Sequence, residues 1–222
     1  MAKSIAQTAK EVFKTFAHKE GNEFIATEPA LTGIGNTIRK NASKSILEVG
    51  IGIGTIPYFV SLLLKQQSIT ADAITYYGTE DHAYCIDQFQ KNLVDLSPKL
   101  HFTHIVNLSE IPAGVTFDFV IIDGGDLALQ SIKEHAHNRT IIMVEGDRKN
   151  QRNILMQMFG DNVSTYGVVS NKTAPSYNPK GKGKKEGGYT VFILNATASE
   201  KMFCYCQNKI TALKERFRFL EF

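Results

Sequence analysis

The chain has 222 residues, a net charge of +3, 43% hydrophobic and 21% charged residues. That length suits one domain with a substantial core, and so weak a charge argues neither for nor against a nucleic-acid partner. No uninterrupted apolar run approaches the ~20 residues of a membrane span, and Met1 to Ala9 lacks the apolar region of a secretion signal. Cys85, Cys204 and Cys206 have no metal-ligand spacing and leave an odd thiol. The expectation is a cytoplasmic protein with no membrane partner.

Residues 4–19 place Ile5, Ala9, Val12, Phe13 and Phe16 at helical spacing, an amphipathic opening helix that Gly21 and Asn22 end. A polar stretch and a second helix over 32–40 lead to the first strand, 45–49. A glycine-rich turn follows, then an apolar helix over 55–65 that tolerates Pro57 in its first turn. Strands at 75–80, 101–106, 117–123 and 140–145 then alternate with helices at 82–96, 127–137 and 150–159. Short apolar strands separated by helices imply parallel pairing with both faces covered.

After Gly160 the pattern changes. Strands at 164–170 and 189–194 have only a loop between them, so they pair antiparallel. That loop, 172–188, carries Lys180, Lys182, Lys184 and Lys185 among glycines. Its readings are a lid, a collector for an anionic substrate, or a solvated hairpin. Ser199 is the expected cap of a last helix bearing Met202, Phe203, Ile210, Leu213 and Phe217, which packs on the body or on another chain. The fold class is therefore α/β, a Rossmann-like sheet of seven strands, mostly parallel with one antiparallel strand and helices on both faces. The chain divides into an N-terminal helical segment over the cleft (1–44), the main domain (45–195) and a C-terminal helix (196–222). The terminal helices are the places for homodimer contacts.

The first strand ends in ILEVGIGIGT, residues 46–55. Glycines here mark a sharp turn or a close approach at the carboxyl edge, where doubly wound sheets bind ligands. The dinucleotide fingerprint G-x-G-x-x-G/A fails at its sixth position, Thr55. The pattern E-x-G-x-G-x-G fits Glu48, Gly50, Gly52 and Gly54 at every fixed position. It resembles motif I of the class I S-adenosylmethionine-dependent methyltransferases. The resemblance spans roughly residues 30–195, with Glu80 closing the second strand, Asp123 closing the fourth and an antiparallel strand late in the chain.

The resemblance implies S-adenosylmethionine as cofactor, held by Glu48, Gly50, Gly52, Gly54 and Thr55, with Glu80 or Asp81 on the ribose, Asn107 and Leu108 by the adenine, and Asp123 near the reacting centre. It implies catalysis by Asp123, Glu145 and Asp147 at the ends of strands four and five. Those acids also resemble the metal carboxylates of the catechol O-methyltransferase branch, so Asp123 and Asp147 are candidate Mg²⁺ ligands. The chain departs from that branch in having Glu145-Gly146-Asp147 where an Asp-Asn pair is typical. Arg148 and Arg152 are candidates for binding a substrate carboxylate or phosphate; His135 and His137 are weighed as bases or structural groups, and His82 as flanking the adenine or lying on the surface. The reading is a methyltransferase acting on the oxygen of a small-molecule acceptor, including anionic ones. Competing readings are RNA methylation guided by loop 172–188, a nicotinamide-dependent oxidoreductase and a non-catalytic cofactor-binding protein.

Overall fold

The computed structural model describes residues 3–125, 128–146, 148–170 and 188–218. Asp147, Asp126 and loop 172–187, on which several expectations rest, lie outside them. Helix α1 (Ile5–Ala17) opens at a reciprocal cap in which Ser4 accepts from the Gln7 amide while the Gln7 side chain accepts from the Ser4 N–H. Its buried face holds the five apolar residues expected. Helix α2 (Glu28–Asn41) starts four residues earlier than its periodicity suggests, because Thr27 caps it through the Ala30 N–H and Pro29 suits a first turn.

The sheet comprises β1 (Ser45–Val49), β2 (Ile74–Thr79), β3 (Leu100–Ile105), β4 (Phe117–Ile122), β5 (Ala136–Glu145), β6 (Val163–Val168) and β7 (Tyr189–Leu194), in the order 3-2-1-4-5-7-6. Strands β1 to β5 pair in parallel, and β7 runs antiparallel to both β5 and β6. Helices α3 (Thr55–Lys65), α4 (Ala83–Asn92) and α5 (Lys149–Phe159) make the crossovers. The order reverses between β1 and β4, which places the topological switch point at their carboxyl ends.

Two hydrophobic clusters cover the two faces. One joins α1, α2 and α3 to Ile46, Tyr76, Ile121 and Met143, and the other packs Leu47, Val49, Val120 and Ile142 against Leu129, Ile132 and Leu155. Side chains alternate along a strand, so Glu48 and Glu145, two residues beyond Ile46 and Met143, point to the first of these faces.

The expected helix over 127–137 is reduced to a 3-10 segment, Leu129–Lys133, and β5 begins by Ala136, so His137 belongs to a strand. The last helix, α6 (Ala198–Arg218), is capped by Thr197 rather than Ser199: Thr197 Oγ1 accepts from the Glu200 N–H while Glu200 accepts from the Thr197 N–H. It packs on the edge strand β6, where Asn208 donates to Thr165 O and accepts from the Gly167 N–H. Met202, Tyr205, Ile210 and Leu213 stay exposed. Among the described residues no helix is long and apolar enough to cross a membrane.

Candidate active site

The carboxyl ends of β1, β2 and β4 are stitched together by main-chain bonds. The N–H groups of Gly50 and Ile51 donate to Thr79 O, and those of Asp123 and Gly124 donate to Val49 O at 2.9 and 2.7 Å. This brings the Gly50 and Gly124 backbones into contact, so a Cβ on Gly50 would lie 2.6 Å from Gly124 Cα. At Gly52, φ is +55° and a Cβ would lie 2.3 Å from the carbonyl oxygen of Phe24. The bare backbone is thus required first by protein against protein: the chain from Gly21 to Thr27 crosses directly over the glycine turn.

Between that crossing and the strand ends lies a cavity of about 910 Å³, in the size range of small-ligand sites. Gly50, Gly52, Glu80, Asp81, Asn107, Asp123 and Glu145 line it, as expected from sequence, together with His82 and Arg148. Gly125, next to Asp123 and Gly124, lines it too, as do Phe24, Ile25, Thr27 and Val106, which the sequence did not single out. The segment from Phe24 to Thr27 falls within the part expected over the cleft (1–44), as a polar stretch with no residue singled out; the helix-start signal of Thr27 and Pro29 is the clue that the chain turns there.

Glu80 is fixed by two main-chain donors, Gly52 N–H to Oε2 at 2.8 Å and His82 N–H to Oε1 at 3.0 Å. Beside it Phe24, His82 and Tyr84 form an aromatic group with centroids 5.9 to 6.5 Å apart. Cys85 also lines the cavity, but burial, then Glu80 and Glu23, push its thiol up to about 11, which leaves it protonated and inert as a nucleophile.

At the other end Asp123 and Glu145 face each other from adjacent strand ends. Thr27 Oγ1 donates to Glu145 Oε1 at 2.9 Å. Arg148 Nη2 donates to Asp123 Oδ1 at 3.0 Å and also to the Asp123 carbonyl. Burial, and next the Glu145 carboxylate, hold the Asp123 carboxyl well above the ordinary range, with Arg148 opposing.

No protein-family model matches the sequence, and no curated protein matches it. Solved structures do match in three dimensions. An O-methyltransferase from Bacillus cereus in complex with SAH (S-adenosylhomocysteine) superposes with a TM-score of 0.60 at 12% identity, covering 85% of this chain and 90% of that one. A Streptomyces achromogenes O-methyltransferase involved in tomaymycin synthesis, in complex with SAM (S-adenosylmethionine), gives 0.54 at 12%, covering 88% and 92%. An SAH-bound Podospora anserina methyltransferase gives 0.53 at 10%, covering 88% and 91%. The chain has the class I methyltransferase fold.

Within this methyltransferase fold, four residues assigned to cofactor from the sequence lie off the cavity wall. Glu48 is fully buried and accepts from Tyr76 Oη at 2.5 Å. Gly54 and Thr55 form the start of α3 and are buried, with Leu93 and Phe89 against Gly54. Leu108 is core. For Glu48 the reason is alternation along β1; Gly54 and Thr55 are turned into the body at the start of α3, and Leu108 by the 3-10 segment Leu108–Glu110. His135 and His137 are structural, Nδ1 of His135 lying 2.8 Å from Val115 O and Nε2 of His137 3.1 Å from Asp118 Oδ1.

The cavity fits S-adenosylmethionine: glycine backbone and an anchored carboxylate line one end, acids the other. The described donors do not by themselves make a Mg²⁺ site, and Asp147, the second expected ligand, lies outside them. The Asp123 oxygen expected to bind the metal is bonded to a guanidinium, and among the described residues no group of three or more His, Cys, Asp or Glu is placed to hold a metal ion.

Proposed function

We propose that the protein is an S-adenosylmethionine-dependent methyltransferase that methylates an oxygen of a small-molecule acceptor. The observation that carries this reading is the way Gly50, Gly52 and Glu80 form the cavity wall while the start of α3 does not. Dinucleotide sites seat a pyrophosphate on that helix N-terminus; here Gly54 and Thr55 are buried, which disfavours the nicotinamide alternative. The oxygen-methylating neighbours support the choice of acceptor atom.

In this reading Glu80 accepts from the ribose hydroxyls, with Asp81 beside it, and Asn107 and Val106 border the adenine. The bound cofactor supplies a methyl group activated on a sulfonium. Asp123 and Glu145 orient the acceptor hydroxyl and accept its proton, and Thr27 holds Glu145 in place for that role. Residues 1–44 cover the cleft, 45–195 form the catalytic domain and 196–222 an appended helix. The site's main contribution to rate in this reading is to orient the acceptor against the methyl group, worth roughly 7–11 kcal/mol at best.

Thermal melting with S-adenosylmethionine, S-adenosylhomocysteine or NAD tests the reading. Ligand at about 100 times its dissociation constant adds ~2.7 kcal/mol, and a chain of this size then melts roughly 5–11 °C higher. The adenosyl ligands are expected to give that shift and NAD none. A shift with NAD alone would overturn the assignment.

A further inference from the structure

Arg148 stands immediately before α5, after Gly146 has turned the chain out of β5 at φ +69°. Its side chain folds back across the end of β4, where Nη2 grips both the carboxylate and the carbonyl of Asp123. It is about one-third exposed, and what it exposes lines the cavity. The guanidinium is thus a fixed positive charge in the wall of the pocket, beside two carboxyls that would otherwise suit a hard divalent cation. A second observation concerns its unfinished bonding: Nε is buried and has no hydrogen-bond acceptor. Nε is sealed from the cavity and Nη2 is held by Asp123, so it is the exposed remainder of the guanidinium, lining the cavity, that can donate to an oxyanion there.

On the methyltransferase reading, we propose that Arg148 occupies the place a divalent metal would take and binds the acceptor as an oxyanion, a carboxylate or an ionised hydroxyl beside the oxygen that is methylated. A dication brought to Asp123 would meet the guanidinium already there, so metal and Arg148–Asp123 pair exclude one another. The fork also explains how an anionic acceptor enters a site that holds two acidic side chains: Arg148 supplies the charge that offsets them, while Glu145 stays tied to Thr27.

The test uses the full-length protein saturated with S-adenosylhomocysteine and two probes. The first is Mn²⁺, followed by the EPR signal of the free ion; the wild-type complex is expected to leave that signal undiminished. The second is salicylate, a carboxylate with a neighbouring hydroxyl, followed by its fluorescence; saturable binding is expected, weakened about 10-fold or more in Arg148→Gln, as for loss of a charged hydrogen bond. Arg148→Lys keeps the charge without the fork and is expected to fall between, and it replaces the glutamine variant if that one fails to bind S-adenosylhomocysteine. Stoichiometric Mn²⁺ binding by the wild type, no salicylate binding, or salicylate binding indifferent to Arg148 would each overturn the proposal. Failure of the wild type to bind S-adenosylhomocysteine would instead remove the methyltransferase reading itself.

Discussion

Thr27 Oγ1 donates to Glu145 Oε1 at 2.9 Å, joining residues 118 positions apart in the chain. The same hydroxyl accepts from the Ala30 N–H at the start of α2, and the Thr27 N–H reaches Glu145 as well, at 3.4 Å. One residue therefore sets both where the second helix begins and how the segment over the cavity is tied to β5.

Thr27→Val is expected to cost about 1–3 kcal/mol, because it leaves a 7% exposed carboxyl without its hydroxyl donor and removes a helix cap. Thr27→Ser keeps both bonds and should recover most of that. Urea denaturation of the three chains measures it, and equal stability of wild type and valine variant would show that the bond contributes nothing.

Gly52→Ala should disrupt the site more than its size suggests. The new methyl meets the Phe24 carbonyl, which is backbone and cannot rotate away, and the residue keeps a left-handed φ. Left-handed strain of about 1–2 kcal/mol adds to an overpacking cost of roughly 1–3 kcal/mol. Gly114→Ala provides the comparison, since φ there is +82° and nothing lies within 4 Å of the added Cβ; it should show the strain alone and keep S-adenosylhomocysteine affinity. If both variants lose the same stability and both bind the ligand, the close approach of Phe24 has no energetic weight.

The parallel sheet was legible because 119–122 in β4 and 141–144 in β5 are buried apolar runs and β1 is buried from Ile46 to Val49. The reversed β7 was legible from the absence of a helix between the last two strand patterns. The 3-10 segment Leu129–Lys133 was not, because its apolar residues sit at spacings that a helix and a packed turn share. In the site, the glycines, Glu80 and Asp123 were found by their position at strand ends. Phe24 and Thr27 were missed, because what brings them there is tertiary: α1 and α2 pack on the same sheet face that Glu145 points to, and only that packing carries the connecting segment over the cavity.

Glu80→Ala should weaken S-adenosylmethionine and S-adenosylhomocysteine alike, by about 1.5–3 kcal/mol for loss of hydrogen bonds to a charged group. Glu80 is held from behind by Gly52 and His82, so Glu80→Gln, which retains one acceptor oxygen, should lose less. Asp81→Asn should lose least, since Asp81 is exposed at the cavity rim. Calorimetric titration ranks the three, and a larger loss at Asp81 would move the ribose contact to that residue.

Glu48 gives the pH dependence of the fold. Complete burial raises its carboxyl well above the ordinary range; the Tyr76 hydrogen bond opposes the shift, and the charges of Asp123 and Glu80 add to it. One of its oxygens is buried without a partner, which suits a protonated carboxyl better than an ion. A raised folded-state value means that between the unfolded value near 4 and the folded one the native state binds more protons than the unfolded state. Stability attributable to Glu48 is then fully present below about pH 4 and lost as pH rises through the folded value. Asp123, raised chiefly by burial and Glu145, acts in the same direction. Glu48→Gln keeps an acceptor for Tyr76 and cannot ionise, so the apo protein carrying it should lose less stability than wild type between pH 5 and pH 8. Urea midpoints at those two values decide the matter: parallel losses in the two proteins would mean that Glu48 is already paired in its charged form.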